Sequence, residues 1–332
     1  METNKQKIVT IGGGSGSFMV LSGLKKYPVE LSAVVTMSDD GGSTGVLRDE
    51  MGVLPPGDVR QCLVALSQSS QTLRDLFSYR YGIGRLGGHS FGNIFLSTLE
   101  KITGSLPLAI KEAGRILRIK GYVLPVTLKN TRLVAVLKNG EEIVGENKIC
   151  KYEGGFNNLE KLYLKPNAEL NPEISKAIAE ADKIIINPGN LYVSLIPNFL
   201  VEGLSEAIAK SKAKVICVAN LMTKHGQTDK FKLNDYILAL EKYLGKNIIK
   251  YVIFNTKLPD NELLKRYSKY GEKTLGPGEN SKELEKKSHI RFIGEELLSD
   301  EIYQPNKNDA IADQRSVIRH NSDKLAKIIY EL

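Results

Sequence analysis

The first third of the chain alternates short apolar runs with segments of helical periodicity. Apolar runs cover Lys7–Ile11 and Leu31–Val35, and the segment between them places Leu21 and Leu24 on one helical face. Residues 59–66 repeat apolar positions at the spacing of an amphipathic helix. Strands that alternate with helices are typical of βαβ units. The sequence therefore predicts an α/β fold, with a Rossmann-like, mostly parallel sheet flanked by helices.

The pattern changes at about residue 122 and returns after residue 165. Alternating runs at Val123–Leu128 and Leu133–Leu137 precede Asn139-Gly140, a strong hairpin signal, and Lys161–Leu164 ends the region. We predict a small antiparallel β insert over about residues 122–165, within a single domain of residues 1–332.

After the insert the α/β alternation resumes. Predicted strands are Lys183–Ile186, Lys214–Val218 and Ile249–Phe254, and predicted helices are Phe199–Ser211 and Asp235–Leu244. The polar stretch Leu258–Ser288 is expected to be helical and peripheral.

Composition narrows the class of protein. Of 332 residues, 42% are hydrophobic and 25% are charged, which is ordinary for a globular protein. The apolar runs are too short for a signal peptide or a membrane span, and the isolated cysteines argue against disulfides and structural zinc. We expect a soluble, cytoplasmic protein.

The formal charge is +8, but lysines and glutamates alternate along most of the chain. This alternation indicates a solvated surface rather than a nucleic-acid interface, so no nucleic-acid partner is expected. The charge points weakly to anionic small molecules.

A glycine-rich segment, Gly12–Gly16, follows the first predicted strand and precedes a helix. Backbone N–H groups and the helix dipole favour phosphate in that position. Ser17 stands where the GxGxxG dinucleotide fingerprint has its last glycine. The alternative is that the glycines merely permit a tight turn.

A second loop, Ser38–Gly45, follows the next strand. Its adjacent acids Asp39 and Asp40 could hold Mg²⁺ or a sugar hydroxyl, and Gly42, Ser43 and Thr44 could bind a second phosphate. The alternative is an Asx-turn that caps a helix.

Two further segments carry polar side chains beside glycine or proline. In Leu54–Arg60, Asp58 is either a helix cap or a ligand for a metal, and Arg60 could reach an anion. In the loop that follows Gly87, His89 could act as a general base, or His89 and Asn93 could order a ring or a phosphate.

The segments Asn187–Ser194 and Asn220–Asp229 each follow a predicted strand. Ligands of open α/β sheets gather at the carboxyl ends of the strands. The loops together therefore indicate one crevice.

These motifs resemble those of the CofD-like family and, within it, its bacterial YvcK branch of gluconeogenesis factors. The matching segments are Ile11–Gly16, Ser38–Gly45, Leu54–Arg60, Gly88–Asn93, Asn187–Tyr192, Asn220–Thr223 and Ile318–Leu325. The resemblance extends from about Lys7 to the end of the chain.

The resemblance implies two different activities. The founding activity of the family is Mg²⁺-dependent transfer of 2-phospho-L-lactate from a guanosine diphosphate-linked donor to a deazaflavin. The bacterial branch is associated with growth on gluconeogenic carbon sources, cell shape and binding of UDP-N-acetylglucosamine. The deazaflavin-side residues of the transferase branch are not found here, which favours the second activity.

The resemblance also implies roles for individual residues. It places phosphates on Gly13, Gly14, Ser15 and Gly16, the metal or ribose at Asp39 and Asp40, the base or sugar at Asn187, Gly189 and Asn190, and a cation at Arg319. Asp39, Asp40 and His89 are the catalytic candidates if a reaction occurs. Ser322 is expected to cap the final helix, where phosphorylation would be stabilised.

The leading hypothesis is a regulatory protein that binds a nucleotide sugar such as UDP-N-acetylglucosamine and acts through protein partners. The alternative is a Mg²⁺-dependent transferase that uses a nucleoside diphosphate-linked donor. A third, weaker alternative is adventitious NAD binding. Homo-oligomerisation stays open.

Overall fold

The computed structural model describes residues 5–152, 154–276, 285, 289–300 and 316–332. The strands in chain order are β1 (Gln6–Ile11), β2 (Val29–Val35), β3 (Tyr122–Pro125), β4 (Arg132–Leu137), β5 (Glu142–Val144), β6 (Leu159–Lys165), β7 (Lys183–Ile186), β8 (Lys214–Val218), β9 (Tyr251–Asn255) and β10 (Arg291–Glu295).

The helices run between these strands. They are α1 (Gly14–Leu24), α2 (Gly42–Met51), α3 (Gly57–Leu66), α4 (Gln71–Ser78), α5 (Phe91–Thr103), α6 (Leu106–Leu117), α7 (Glu146–Cys150), α8 (Pro172–Ala179), α9 (Ile196–Phe199), α10 (Leu204–Lys210), α11 (Leu233–Leu244), α12 (Asn261–Ser268) and α13 (Ser322–Glu331).

Within the described residues, seven strands form one sheet in the order β10-β9-β8-β7-β1-β2-β3. All its strand pairs are parallel. The central strands β1, β7 and β8 are almost wholly buried, as expected when both faces of a parallel sheet are covered by helices. The predicted α/β fold class is confirmed.

A second sheet, in the order β5-β4-β6, is antiparallel. Gly140 has φ +85°, the left-handed conformation that the predicted Asn139-Gly140 turn requires. The predicted insert begins too early, because β3 pairs in parallel with β2 in the main sheet. An apolar run alone does not reveal which sheet a strand joins.

The segment predicted as one helix over Phe199–Ser211 contains only the last residue of α9 and the whole of α10. Gly203 between them has φ +98°, which a continuous right-handed helix excludes. The sequence prediction also missed β10, which pairs with β9 at the sheet edge. Part of the stretch predicted as helical over Leu258–Ser288 forms α12, and residues 277–284 and 286–288 lie outside the described residues.

The final helix α13 packs on α1. A Cβ at Gly23 would lie 2.1 Å from the carbonyl oxygen of Ser322, so the two helices meet closely. Ser322 is not the cap as predicted. The Asn321 side chain accepts from the N–H groups of Asp323 and Lys324, at 3.1 and 3.0 Å. Phosphorylation of Ser322 stays a prediction.

Candidate functional site

The strands β1 and β7 are neighbours in the sheet. After β1 the chain continues to β2 on one side of this pair, and after β7 it continues to β8 on the other side. Loops diverge at such a switch point and leave a crevice outside the carboxyl ends of the strands. Two of the predicted binding segments, Gly12–Gly16 and residues 187–190, meet there. The Asn187 N–H donates to the Ile11 carbonyl and its side-chain amide to Ser17 Oγ, each at 2.9 Å. A Cβ at Gly16 would lie 1.7 Å from the Pro188 carbonyl oxygen, so this approach requires glycine.

Asn220, at the end of β8, holds this second loop in place. Its Oδ1 accepts from the Gly189 N–H and its Nδ2 donates to the Gly189 carbonyl, both at 2.8 Å. The backbone N–H and carbonyl of Gly189, a residue predicted to face the base or sugar, are therefore already used within the protein. Asn190 begins the next helical turn, since its carbonyl accepts from Ser194 and Leu195.

The N-terminus of α1 carries the Gly12–Gly16 segment, as predicted, and an acid contacts it. Asp58 Oδ1 accepts from the Gly14 N–H at 2.9 Å. A Cβ at Gly13 would lie 1.9 Å from Asp58 Oδ2, so the carboxylate rests directly on this glycine. Asp58 thus binds the N-terminus of α1 from a position in the first turn of α3.

The N-termini of α2 and α3 meet beside this contact. Asp39 Oδ1 accepts from the Gly41 N–H at 2.9 Å, which is the Asx-turn considered from the sequence. A Cβ at Gly57 would lie 2.5 Å from Thr44 Oγ1 and 2.8 Å from Asp39 Oδ2. Asp39 is therefore placed between two helix N-termini, next to Asp58.

Asp40 interacts with the insert instead. Its Oδ1 accepts from the Asn147 N–H in α7 at 2.8 Å, and its Oδ2 pairs with Arg132 at 3.4 Å. The two adjacent acids thus have different contacts, and the carboxylate that joins Asp39 at the α1 loop is Asp58.

Burial and mutual repulsion raise the pKa values of the acidic side chains in the crevice. Burial, then the charge of Asp39, raises the pKa of Asp58 to about 7. Burial also raises the pKa of Asp39, against the hydrogen bonds from Gly41 and Thr44. In Glu146, on α7, burial and the nearby acids Asp39, Asp58 and Asp40 raise the pKa well above its ordinary value. Glu146 Oε2 is buried with no hydrogen-bond partner among the described residues.

Ser43 connects α2 to α5. Its Oγ lies 3.3 Å from both His89 Nδ1 and Asn93 Nδ2, and the Ser90 N–H donates to it at 3.4 Å. Arg60 Nε donates to Asn93 Oδ1 at 2.8 Å. The structure therefore brings the predicted residues Ser43, Arg60, His89 and Asn93 together, with Arg60 buried behind Asn93.

Arg319 lies on the segment before α13. Its backbone carbonyl accepts from the Ser299 N–H at 2.9 Å, and its Nε donates to the Ser316 carbonyl at 3.3 Å. The next residue, His320, is hydrogen-bonded to the Ala219 backbone just beyond β8. This contact puts the segment at the carboxyl end of β8, beside the strand that supplies the Asn187 loop.

The donor set at Asp39 and Asp58 suits Mg²⁺. Carboxylate oxygens are hard ligands, and Mg²⁺ is commonly held by one or two carboxylates with substrate phosphates and water. In the described part of the chain, no group of three or more His, Cys, Asp or Glu side chains could hold a metal ion. Mg²⁺ at Asp39 and Asp58 would therefore need phosphate oxygens and water as its other ligands.

Comparison with known proteins gives the family. The family model of the 2-phospho-L-lactate transferase CofD matches residues 8–298. The chain belongs to the CofD family. Its matched region includes all the crevice loops except the segment that carries Arg319.

Relatives and a solved structure match nearly the whole chain. A protein named "Gluconeogenesis factor" from Bacillus subtilis is 36% identical, over 99% of this chain and 98% of that protein. One of the same name from Listeria innocua is 37% identical, over 97% of this chain and 94% of that protein. The crystal structure of a UPF0052 family protein from Bacillus halodurans has a TM-score of 0.88 at 32% identity, covering 99% of both chains.

Sequence reasoning missed two contributors to the site in this CofD-family chain. Glu146 belongs to the insert and has no motif around it, so its approach to Asp39 and Asp58 depends on how the insert folds back. Asn220 stands in one of the predicted crevice loops, but its pairing with Gly189 depends on the parallel neighbours β7 and β8.

The helices of the described ranges are short. None of them is both long enough and apolar enough to span a membrane.

Proposed function

We propose that this chain binds a nucleoside diphosphate sugar of the UDP-N-acetylglucosamine type and acts as a regulatory protein. The regulated processes would be growth on gluconeogenic carbon sources and control of cell shape and envelope, through protein partners. The observation that carries the proposal is the convergence of the N-termini of α1, α2, α3 and α5 on one crevice.

Helix N-termini present free N–H groups and positive potential, and this favours phosphate. The first turns of α1 and α2 read Gly-Ser-Gly-Ser and Gly-Ser-Thr-Gly, so small side chains leave the backbone open to a ligand. The contacts between α2 and α3 at Gly57, and between α2 and α5 at Ser43, bring these termini together. A diphosphate has the charge and length to contact more than one of them.

The loop at residues 187–190 and the Arg319 segment lie on the other side of the switch point. Amide side chains such as Asn187 and Asn190 suit the hydroxyl and carbonyl groups of a base or sugar. Asn187 Oδ1 is buried and has no partner among the described residues, so a ligand donor that reached it would satisfy it. The names of the relatives support the gluconeogenic part of the proposal.

The test is calorimetric titration of the purified protein with UDP-N-acetylglucosamine, with and without MgCl₂, followed by analysis of the mixture for products. The expected result is binding with intact recovery of the ligand. Asp39→Ala and Arg319→Ala should lose binding, whereas Arg115→Ala, an exposed arginine on α6, should not. Absence of heat at millimolar ligand would refute the proposal.

The match to the transferase family model supports a second candidate. In this alternative the chain transfers a phosphorylated acid from a nucleoside diphosphate-linked donor to the hydroxyl of an acceptor. The new bond forms at the phosphate of the acid, and the nucleoside monophosphate is the leaving group. Asp39 and Asp58 would hold Mg²⁺, which when bound offsets the charge that develops on the transferred phosphate. The residues of the chain would bind and orient the donor, and His89 is placed beside Ser43 to hold or move a proton. Mass spectrometry of donor and acceptor mixtures would show a Mg²⁺-dependent product, and recovery of unchanged donor would end this alternative.

A further inference from the structure

We propose that the edge of the main sheet where the strands begin carries a separate anion-binding site, built on Lys25, Arg74 and Lys120. Its ligand would be a small phosphate compound. The site lies at the opposite edge of the sheet from the crevice, so the inference goes beyond the proposed function and does not depend on it.

The ends of α1 and α3 and the segment that leads into β3 meet at this edge. Lys25, at the C-terminal cap of α1, donates from Nζ to the carbonyl of Ser67, just after α3, at 2.8 Å. Lys120 donates from Nζ to the carbonyls of Lys25 and Tyr27, at 2.7 and 2.6 Å. The backbone N–H of Lys120 donates to the Leu66 carbonyl at 3.0 Å. The two ammonium groups are therefore held on one folded frame.

Arg74, in α4, brings a third cation to the same frame. Its guanidinium donates to the carbonyl of Ser69, and the hydroxyl oxygens of Ser69 and Ser67 lie 2.6 Å apart. Burial, then the charge of Arg74, lowers the pKa of Lys25. Lys25 and Arg74 are therefore close enough to repel each other across the Ser67–Ser69 turn.

These three cations are bonded to backbone carbonyls instead of acids. In the described part of the chain, no carboxylate forms an ion pair with any of them. Their neighbour Lys26, in contrast, is paired with Asp323. A carbonyl orients a cation but leaves its charge uncompensated, and like charges held together raise the energy of the unliganded state. An anion that bound among them would remove this repulsion.

Arg118 adds a positive charge beside the same turn. It is exposed, and its carbonyl accepts from the Gln68 N–H at 3.2 Å. Its φ is +51°, in the left-handed region that glycine adopts with less strain. Glycine would suit this backbone better, whereas arginine increases the positive potential around the turn.

The chemistry of the cluster favours phosphate. Lysine binds phosphate as a point charge, and arginine offers parallel donors that match two of its oxygens. Lys25, Arg74 and Lys120 are all partly buried, and attraction to a multiply charged anion is stronger there than in open water. Gln68 and Ser70 beside them are exposed, so a small phosphate compound can reach the turn from solvent.

The test reads binding at the cluster itself, using inorganic pyrophosphate as the probe. The lysines of the folded protein are acetylated with limiting reagent at constant ionic strength in EDTA, and mass spectrometry quantifies each modified peptide. Pyrophosphate is expected to slow the acetylation of Lys25 and Lys120 severalfold and to leave that of Lys129 unchanged. Lys129 is an exposed lysine that pairs with Glu169. Pyrophosphate bound in the crevice would not protect these lysines.

A double variant tests whether the cations themselves bind the anion. In Lys25→Met/Arg74→Met, protection of Lys120 should need about tenfold more pyrophosphate than in the wild type. The matched control is Lys129→Met/Arg115→Met, which loses the same charge at exposed residues paired with glutamates and should behave as the wild type. Thermal unfolding first shows that each variant is folded. Arg74→Gln, which keeps a donor for the Ser69 carbonyl, provides the same comparison if the double variant does not fold.

Three results would overturn the inference. Pyrophosphate could protect neither Lys25 nor Lys120, which would show that no anion binds at this edge. It could protect Lys129 to the same extent, which would show general screening of surface charge. Both double variants could need the same pyrophosphate concentration as the wild type, which would show that Lys25 and Arg74 do not hold the anion.

Discussion

At the edge of the sheet where the strands begin, a buried charge has partners, whereas at the edge where they end, buried charges face one another. Lys183 Nζ, at the start of β7, donates to the carbonyls of Ile329 and Tyr330 at 2.8 and 2.7 Å and to Gln6 at 3.1 Å. Asp58 and Asp39 lie together at the opposite edge, and Glu146 Oε2 has no partner among the described residues.

The edge with Lys183 therefore stabilises the fold, whereas the edge with the acids is suited to binding. Lys183 binds the last carbonyls of α13, which a helix cannot satisfy internally, and its charge suits the negative end of the helix dipole. A buried group with satisfied hydrogen bonds fixes the fold. Acids that repel one another raise the energy of the unliganded crevice, and a cation or a ligand that neutralises them is bound more tightly as a result.

The largest expected effect is a loss of stability when the ammonium group of Lys183 is removed. Lys183→Met should lower the free energy of unfolding by about 2–4 kcal/mol, because buried carbonyls at the end of α13 lose a charged donor. Urea denaturation measures this effect. The control is Lys214→Met, since the exposed Lys214 also contacts a backbone oxygen at this end of the chain, that of Leu332 just after α13. Equal small losses in both variants would contradict the assignment of Lys183 as the main anchor.

A somewhat smaller loss of stability is expected when a side chain is added at Gly13, beside the crevice. Gly13→Ala should cost about 2 kcal/mol of stability, because its Cβ would overlap the Asp58 carboxylate. In an Asp58→Ser background the same substitution should cost much less, and thermal unfolding of the four proteins measures this coupling.

Gly82→Ala is the control for this comparison, since a Cβ at Gly82 has no heavy atom within 4 Å among the described residues. Additive effects of the two substitutions would show that Asp58 does not rest on Gly13.

The pH dependence of stability tests the repulsion at Asp58. Its folded pKa of about 7 lies above the ordinary value of 3.8, so the folded state holds the proton more tightly than the unfolded state. Stability should therefore fall as pH rises from about 4 to 7. At pH 8, Asp58→Asn should be more stable than the wild type, because it carries no charge beside Asp39. Urea denaturation at pH 4 and pH 8 measures this, and an equal pH dependence in both proteins would refute it.

The smallest effect, of opposite sign, is expected at His320. Burial lowers the pKa of this histidine to about 4 from an ordinary 6.5, so the unfolded state binds the proton more tightly. Stability should fall as pH is lowered from 6.5 to 4. His320→Asn, which keeps a donor near the position of Nδ1, should reduce this fall, and thermal unfolding across the pH range measures it.

His225→Asn is the matched control, because His225 is exposed and pairs with Asp229 at 3.2 Å. A pH profile that changes in the His225 variant and not in the His320 variant would contradict the assignment.

The sequence by itself determined the fold class and the composition of the crevice loops. Apolar runs that alternate with helical periodicity predict a parallel sheet, and glycine-rich segments after its strands predict phosphate binding, because both signals depend on residues close together in the chain. The same local signals predicted the Asn139-Gly140 hairpin.

The tertiary structure decided which of these residues meet. That Asp58, rather than Asp40, joins Asp39 depends on how α2 and α3 pack, and the approach of Glu146 depends on the fold of the insert. The membership of β3 in the main sheet depends on its pairing with β2. Such contacts join residues far apart in the chain, and their energies come from burial and charge in three dimensions, which no local pattern records.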